Sequence, residues 1–282
     1  MRYDSRKPTC NRTVKPALCE NVSVSRSQGV LPNGLRRLSR NGNPVYHYSG
    51  VSSPAQYSVT VPNTLIRIDP SVPLDIAAMF GCAVVTGAGA VFYSAKVRPG
   101  QNVAVFGLGG VGLNAVMAAR ISGASEIIGI DINEGKFPLA MELGCTRTFS
   151  ALDPNLAGTV KDVTRGGIDF ASEISGNKPA MTFAYVITRK GGEVICVGLG
   201  ALNELYQYPH AALVSEEKAT RGSLMGSGVA ERGIPLLVKL YQDRKMPVDR
   251  LKSSTMGFDH LNLSLDRLDS VEVVRQILLP NG

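Results

Sequence analysis

From residue 101 onward, short apolar runs alternate with stretches whose apolar positions recur at helical spacing. Runs at 103–106, 126–130, 146–149, 168–174 and 193–197 have the length and β-branched content of buried strands, and 219–225 reads as one more extended segment. Helical patterns lie between them: one after residue 110 carried by Val116, Ala119 and Ile121, then 134–143 and 180–188. This alternation predicts an α/β fold built on a doubly wound parallel sheet. Before residue 76 the texture changes. Pro, Ser, Asn and Gly are frequent, and only 57–61 and 65–68 read as short β-rich runs, which suits part of a separate β domain. After Gly226 the pattern gives helices over 234–244 and 260–268 and a last strand over 273–279. The expected division is therefore 1–83, 84–226 and 227–282.

One junction in this pattern carries chemistry. The strand at 103–106 runs into Gly107-Leu108-Gly109-Gly110-Val111-Gly112 and then into a helix, while the next strand ends in Asp131. In such a turn the first glycine permits the tight exit from the strand, the second lets backbone approach a pyrophosphate, and the third lets the helix pack close to the sheet. The helix N-terminus offers N–H groups to phosphates. Asp131 lies about 20 residues beyond Gly112, where a carboxylate accepts hydrogen bonds from the hydroxyls of an adenosine ribose. A 2′-phosphate there would meet like charge, so the pattern predicts NAD rather than NADP in a Rossmann-type site. Gly107, Asp131 and the turn at 197–200 all fall at carboxyl ends of predicted strands, where ligands of such sheets bind.

Bulk properties modify this reading little. A chain of 282 residues is long enough to bury a substantial core. The net charge of +7 is dispersed, and its only cluster, Arg36-Arg37-Leu38-Ser39-Arg40, reads as a solvated loop, so nucleic acid is not an expected partner. No apolar run follows the charged N-terminus, which argues against a secretory signal and makes the sequons at Asn11, Asn21 and Asn262 incidental. Residues 76–93 are uncharged and reach the length of a membrane span, yet their glycines and alanines suit buried helix packing, so no membrane is expected. Five scattered cysteines fit a reducing cytoplasm, with Cys145 and Cys196 as small core residues.

The segments 81–87, 97–101, 105–112 and 129–137 together resemble the zinc-type alcohol dehydrogenases of the medium-chain dehydrogenase/reductase superfamily, and the similarity runs from about residue 16 to 278. The resemblance implies a partial GroES-like catalytic domain beside the Rossmann domain, and a homodimer formed through the latter. It implies that Leu108, Gly110 and Val111 join the glycines around the phosphates. Lys136 would join Asp131 at the adenosine ribose, and Arg275 would contact the pyrophosphate. Thr86 would pack on the nicotinamide, while main-chain groups at Val197, Leu199, Ser223 and Met225 would fix its carboxamide and ring face. Cys82 resembles the third ligand of a catalytic zinc, which in this family polarises the oxygen of an alcohol as hydride passes to NAD.

The sequence departs from that family at the metal. The segment bearing the other two catalytic ligands, a cysteine and a histidine, has no counterpart, so a full-length member is expected to start further upstream. His47, His210 and His260 stand outside the matching motifs and read as surface or loop histidines. Of the four structural-zinc cysteines, Cys10 and Cys19 remain, and two thiolates do not close a tetrahedral site. Pro54, Gln56 and Val271 are smaller departures. Two readings follow: an oxidoreductase acting on an alcohol or aldehyde with NAD and originally zinc, or an NAD-binding chain without catalysis. A zinc-free reductase of the superfamily is disfavoured by Cys82 and, because such enzymes tend to read NADPH, by Asp131.

Overall fold

The computed structural model describes residues 16–19, 25–31, 33–49, 51–60, 62–269 and 273–280. Cys10, Asn11, Asn21 and Val271 lie outside the described residues. Six strands form the central sheet: β3 (Asn102–Phe106), β4 (Glu126–Asp131), β5 (Arg147–Ser150), β6 (Ile168–Glu173), β7 (Thr188–Cys196) and β8 (Ala219–Gly222). All are parallel, in the spatial order β5-β4-β3-β6-β7-β8. The chain winds outward from β3 in one direction and then, after β5, returns to wind outward from β6 in the other. The two windings part at β3 and β6, and the crevice in which doubly wound sheets bind ligands lies outside the carboxyl ends of the strands at that switch point.

Strand alternation decides which layer covers which face. Val103, Val105 and Ile127 pack against α1 (Ala83–Gly89), α2 (Gly110–Ile121) and α3 (Phe137–Leu143) through Val84, Leu113, Val116, Met117 and Leu143. Ala104, Phe106, Ile128 and Ile130 face the other way, onto α4 (Leu156–Val163) and α5 (Lys178–Ile187) through Leu156, Val160, Met181, Ala184 and Ile187. After α6 (His210–Ser215), the C-terminal part adds its buried side chains to the first of these layers. Ile234, Leu237 and Val238 of α7 (Ala230–Gln242) and Met246, Val248 and Leu251 beyond it all join the cluster around Val103 and Val105. On the surface, Arg250 holds Glu142 through two bonds of 2.8 and 2.9 Å, and Lys252 meets Asp75 at 2.6 Å. Exposed pairs of this kind contribute little to stability.

Several sequence expectations are corrected. Residues 57–60 and 65–69 form no strands, and Tyr57, Val59 and Leu65 are exposed. Their alternation suits a sheet surface, but among the described residues no strand pairs with them, and an unpaired strand is not stable in water. The basic cluster is no plain loop: β1 (Leu38–Arg40) pairs antiparallel with β2 (Asn43–Val45), although every residue of both is exposed. The segment 219–225 leaves the sheet at Gly222 and turns. Strand β9 (Lys252–Gly257), α4 and α6 were not expected. β9 pairs in parallel with β10 (Arg275–Leu279).

The apolar segment near residue 80 is a bent pair of helical pieces, Leu74–Gly81 and Ala83–Ala95, meeting at 50°. No single helix among the described residues is long and apolar enough to cross a membrane. Phe80, Val84 and Val91 of the pair are fully enclosed in the core.

Two glycines of the 107–112 turn differ in what they do for the fold. A Cβ on Gly112 would stand 1.8 Å from the Gly107 carbonyl oxygen, whereas one on Gly109 would meet nothing within 4 Å. Gly112→Ala is expected to destabilise the protein by about 3 kcal/mol or more, because backbone on both sides must move. Gly109→Ala, at a helix N-cap with an ordinary negative φ, is expected to change stability by about 1 kcal/mol or less. Urea unfolding of the two variants checks the contrast.

Candidate functional site

The turn after β3 brings four features to the mouth of the crevice. Gly107, at φ 92°, adopts a conformation that costs an L-residue strain. It swings the chain so that α2 begins directly over the strand end. The helix has Gly109 as its N-cap, no side-chain cap and no acidic residue in its first turn. Its positive end and amide groups are therefore left to whatever occupies the open space beside Gly109. A Cβ on Gly110 would strike the Arg275 side chain, 2.5 Å from Nε, so the guanidinium reaches the same helix terminus from β10. Arg275 Nε is buried and has no hydrogen-bond partner. A buried, unpartnered donor of this kind calls for an acceptor.

Asp131 ends β4 and is nearly enclosed, at 6% exposure. Its Oδ2 accepts from the Leu108 N–H at 2.7 Å and its Oδ1 from the Asn133 N–H at 2.9 Å. The Lys136 ammonium bridges both oxygens at 3.0 and 3.2 Å. The carboxylate thus pins the glycine turn to the neighbouring strand at the carboxyl ends of β3 and β4. The family resemblance placed Lys136 beside Asp131, and the structure brings the two together.

On the far side of the crevice a second carboxylate plays a similar structural part. Glu173 ends β6, is 3% exposed, and its Oε1 accepts from the Ser175 N–H at 2.8 Å, the Ser175 hydroxyl at 2.5 Å and the Gly176 N–H at 3.0 Å. It shapes the turn that packs against Gly107, whose Cβ would stand 3.2 Å from Ser175 N. This residue was missed in the sequence. The signal was present, since Glu173 closes an apolar strand as Asp131 does. The adjacent turn after β7 is held by the Val197 and Gly198 N–H groups donating to the Glu173 carbonyl at 2.8 and 3.0 Å. The Leu199 side chain points into solvent at 87% exposure.

Thr86, Ser223 and Met225 also converge. The Thr86 hydroxyl lies 3.8 Å from Met225 Sδ, and the Ser223 N–H donates to the Cys196 carbonyl at 2.8 Å. Ser223 is buried and accepts a hydrogen bond from the Ser94 hydroxyl at 2.8 Å.

The metal ligands do not converge. Cys82 is exposed at the N-cap of α1, Cys19 is buried, and the described residues contain no group of three or more His, Cys, Asp or Glu side chains able to hold a metal ion. His210 and His260 are exposed. His47 is a loop histidine but a buried one. It accepts the Arg37 N–H at 3.0 Å on Nε2 and faces the Ser52 hydroxyl at 2.6 Å from Nδ1, which places its proton on Nδ1. Burial pushes the Cys145 thiol up to about 12 and the Cys196 thiol to about 11, the latter also through the nearby Glu173 charge.

Comparison with known proteins points in one direction. The family described as zinc-binding dehydrogenase matches residues 110–242. A solved alcohol dehydrogenase zinc-binding domain protein from Burkholderia ambifaria is 30% identical with a TM-score of 0.91, and 98% of this chain aligns with 75% of that one. Benzyl alcohol dehydrogenase from Acinetobacter calcoaceticus gives 29% identity, a TM-score of 0.90 and the same two coverages. An alcohol dehydrogenase from Thermus sp. ATN1 shares the fold at 24% identity and a TM-score of 0.74, over 85% of this chain and 68% of its own.

Thiol reactivity follows from these placements, because the thiolate is the nucleophile and needs access. Brief iodoacetamide treatment of the native protein near pH 7.5, read by peptide mass spectrometry, is expected to modify Cys82 well before Cys145 or Cys196. Equal labelling of the three would contradict the packing described.

Proposed function

Because the chain belongs to the zinc-type alcohol dehydrogenases of the medium-chain dehydrogenase/reductase superfamily, we propose that it binds NAD in the crevice between β3 and β6 and serves hydride transfer between an alcohol or aldehyde and that coenzyme. The observation that carries the reading is the meeting of the uncapped α2 terminus, the open space at Gly109 and the unpartnered Arg275 Nε beside the Asp131 carboxylate. The first three suit a pyrophosphate and the last a ribose diol. The chemistry of these groups, free amides, an unpartnered guanidinium nitrogen and a carboxylate, suits a dinucleotide.

NAD, when bound, supplies the carbon that accepts or returns hydride. The chain's own part is placement. The helix amides and Arg275, which meet at the α2 terminus, would hold the two phosphates and offset their charge. Of the donors on Asp131 only Lys136 is a mobile side chain, and its swing frees one lone pair on each oxygen for the ribose hydroxyls. A 2′-phosphate would face the carboxylate, so NAD is preferred to NADP. In a doubly wound sheet the second mononucleotide lies across the switch point, which directs the nicotinamide toward Thr86, Val197, Leu199, Ser223 and Met225. No step is assigned to zinc, because a catalytic site needs three protein ligands and, among the described residues, no such group of donors surrounds Cys82.

That donor set favours a second reading, an NAD-binding chain without turnover. Loss of a Lewis acid removes several kcal/mol of transition-state stabilisation. Elemental mass spectrometry together with NADH production from a panel of alcohols, benzyl alcohol included, separates the two. Zinc-dependent turnover by this chain contradicts the second reading, and absence of both zinc and turnover contradicts the first for the chain as it stands.

The coenzyme assignment is tested independently. Asp131→Ser is expected to lower NAD affinity by roughly ten- to a hundredfold, the worth of a charge-assisted hydrogen bond, and to narrow the NAD to NADP affinity ratio by a similar factor. An unchanged ratio in equilibrium titration would show that Asp131 is not the ribose partner. Gly109→Ala is expected to weaken NAD while the fold persists.

A further inference from the structure

The helix that carries Thr86 does not continue regularly. After α1 the backbone widens into a π-helical segment, Ala90–Ala95, before ending at Lys96 in a left-handed conformation. Single π turns are uncommon and are associated with functional sites. This one has a definite geometric consequence. In a regular α-helix, positions 86 and 89 lie about 60° apart but position 94 would fall about 140° from position 89. The i→i+5 turn brings Ser94 round to the side that Thr86 and Gly89 already occupy.

All three then meet the same short segment after β8. The Ser94 hydroxyl donates to Ser223 Oγ at 2.8 Å, both residues being buried. Gly89 lies against Gly226, where a Cβ on Gly89 would stand 2.5 Å from the Gly226 carbonyl oxygen. Thr86 meets Met225 Sδ at 3.8 Å. The segment they hold is unusual in itself: Met225, Gly226 and Ser227 have φ of 50°, 72° and 57°, three consecutive left-handed residues of which two are not glycine. Such a run persists only where its surroundings hold it. Ser94 and Ser223 are the pair that fix its start, 129 residues apart in sequence.

We propose that the widened turn Ala90–Ala95 is a positioning device for the nicotinamide half of the coenzyme, with Ser94 and the Gly89–Gly226 contact setting the main chain of 223–225 through which that half is oriented. The inference rests on the NAD reading given above. It makes Ser94 a positioning residue, acting through Ser223 and without contact to the coenzyme, and it separates the two halves of the ligand. Asp131, the α2 terminus and Arg275 hold the adenosine diphosphate part independently of residue 94.

The test uses isothermal titration of the whole chain with two probes, NADH and ADP-ribose, the second lacking the nicotinamide. Ser94→Ala is the better variant, because Gly226→Ala would place a Cβ 2.2 Å from the Val85 carbonyl oxygen and disturb the helix at large. Ser94→Ala is expected to weaken NADH about tenfold, the effect of leaving a buried hydroxyl without its partner, and to leave ADP-ribose within about twofold of wild type. Ser94→Thr, which keeps the hydroxyl, is expected to restore most of the NADH affinity. If Ser94→Ala leaves the ratio of the two affinities unchanged, whether both hold or both fall together, the proposal is overturned. If the wild-type chain binds neither probe, the NAD site itself is refuted and the proposal with it. Binding of ADP-ribose by wild type with an unaltered ratio in Ser94→Ala overturns the positioning role alone.

Discussion

The tightest glycine contact among the described residues is the approach of α2 to the end of β3, where a single added carbon on Gly112 would come within 1.8 Å of the Gly107 carbonyl oxygen. Everything at the crevice depends on that approach. It sets the uncapped helix terminus over the switch point, and it brings the Leu108 N–H within 2.7 Å of Asp131 so that strand β4 is locked to the turn. Gly110, at the start of the same helix, leaves room for the Arg275 side chain to reach the terminus from β10. A bulkier residue at position 112 would push the helix away and separate these groups together.

The same device recurs across the crevice. Gly198 lies against Gly176, where a Cβ would stand 2.1 Å from the Gly176 nitrogen, and Gly226 lies against α1. Three backbone-to-backbone contacts thus line the two halves of the cleft, and buried carboxylates, Asp131 and Glu173, tie the turns on either side. A wall made of main chain is rigid, and its N–H groups are fixed donors, which suits a ligand recognised by phosphates, hydroxyls and a carboxamide. Substrate chemistry has to be supplied elsewhere, which agrees with the isolation of Cys82 from other metal donors among the described residues.

Much of this was legible in the sequence, and the reasons differ by element. The inner strands β3 and β4 and the second half of β7 announced themselves because they are largely buried and read as apolar runs, whereas the edge strands β5 and β8 are mostly exposed or half-buried. The glycine turn and Asp131 were legible because their roles are local: each acts on chain within one βαβ unit. Elements with little apolar content were not found. β9 is Lys-Ser-Ser-Thr-Met-Gly, α4 buries only Leu156 and Val160, and α6 buries nothing. The runs at 57–61 and 65–68 have the alternation of strands, but alternation says nothing about whether a partner strand lies beside them. Long-range relations escaped as well. The link of Ser94 to Ser223 depends on a π turn that no spacing rule predicts. The reach of Arg275 to Gly110 came only from family resemblance.

Amide hydrogen exchange, followed by mass spectrometry on the chain with and without saturating NADH, tests the central claim most directly. The account predicts slowed exchange concentrated in 107–113, 131–136 and 223–227, on both sides of the β3–β6 crevice. Unchanged exchange in those segments, or protection confined to other parts of the molecule, would contradict it.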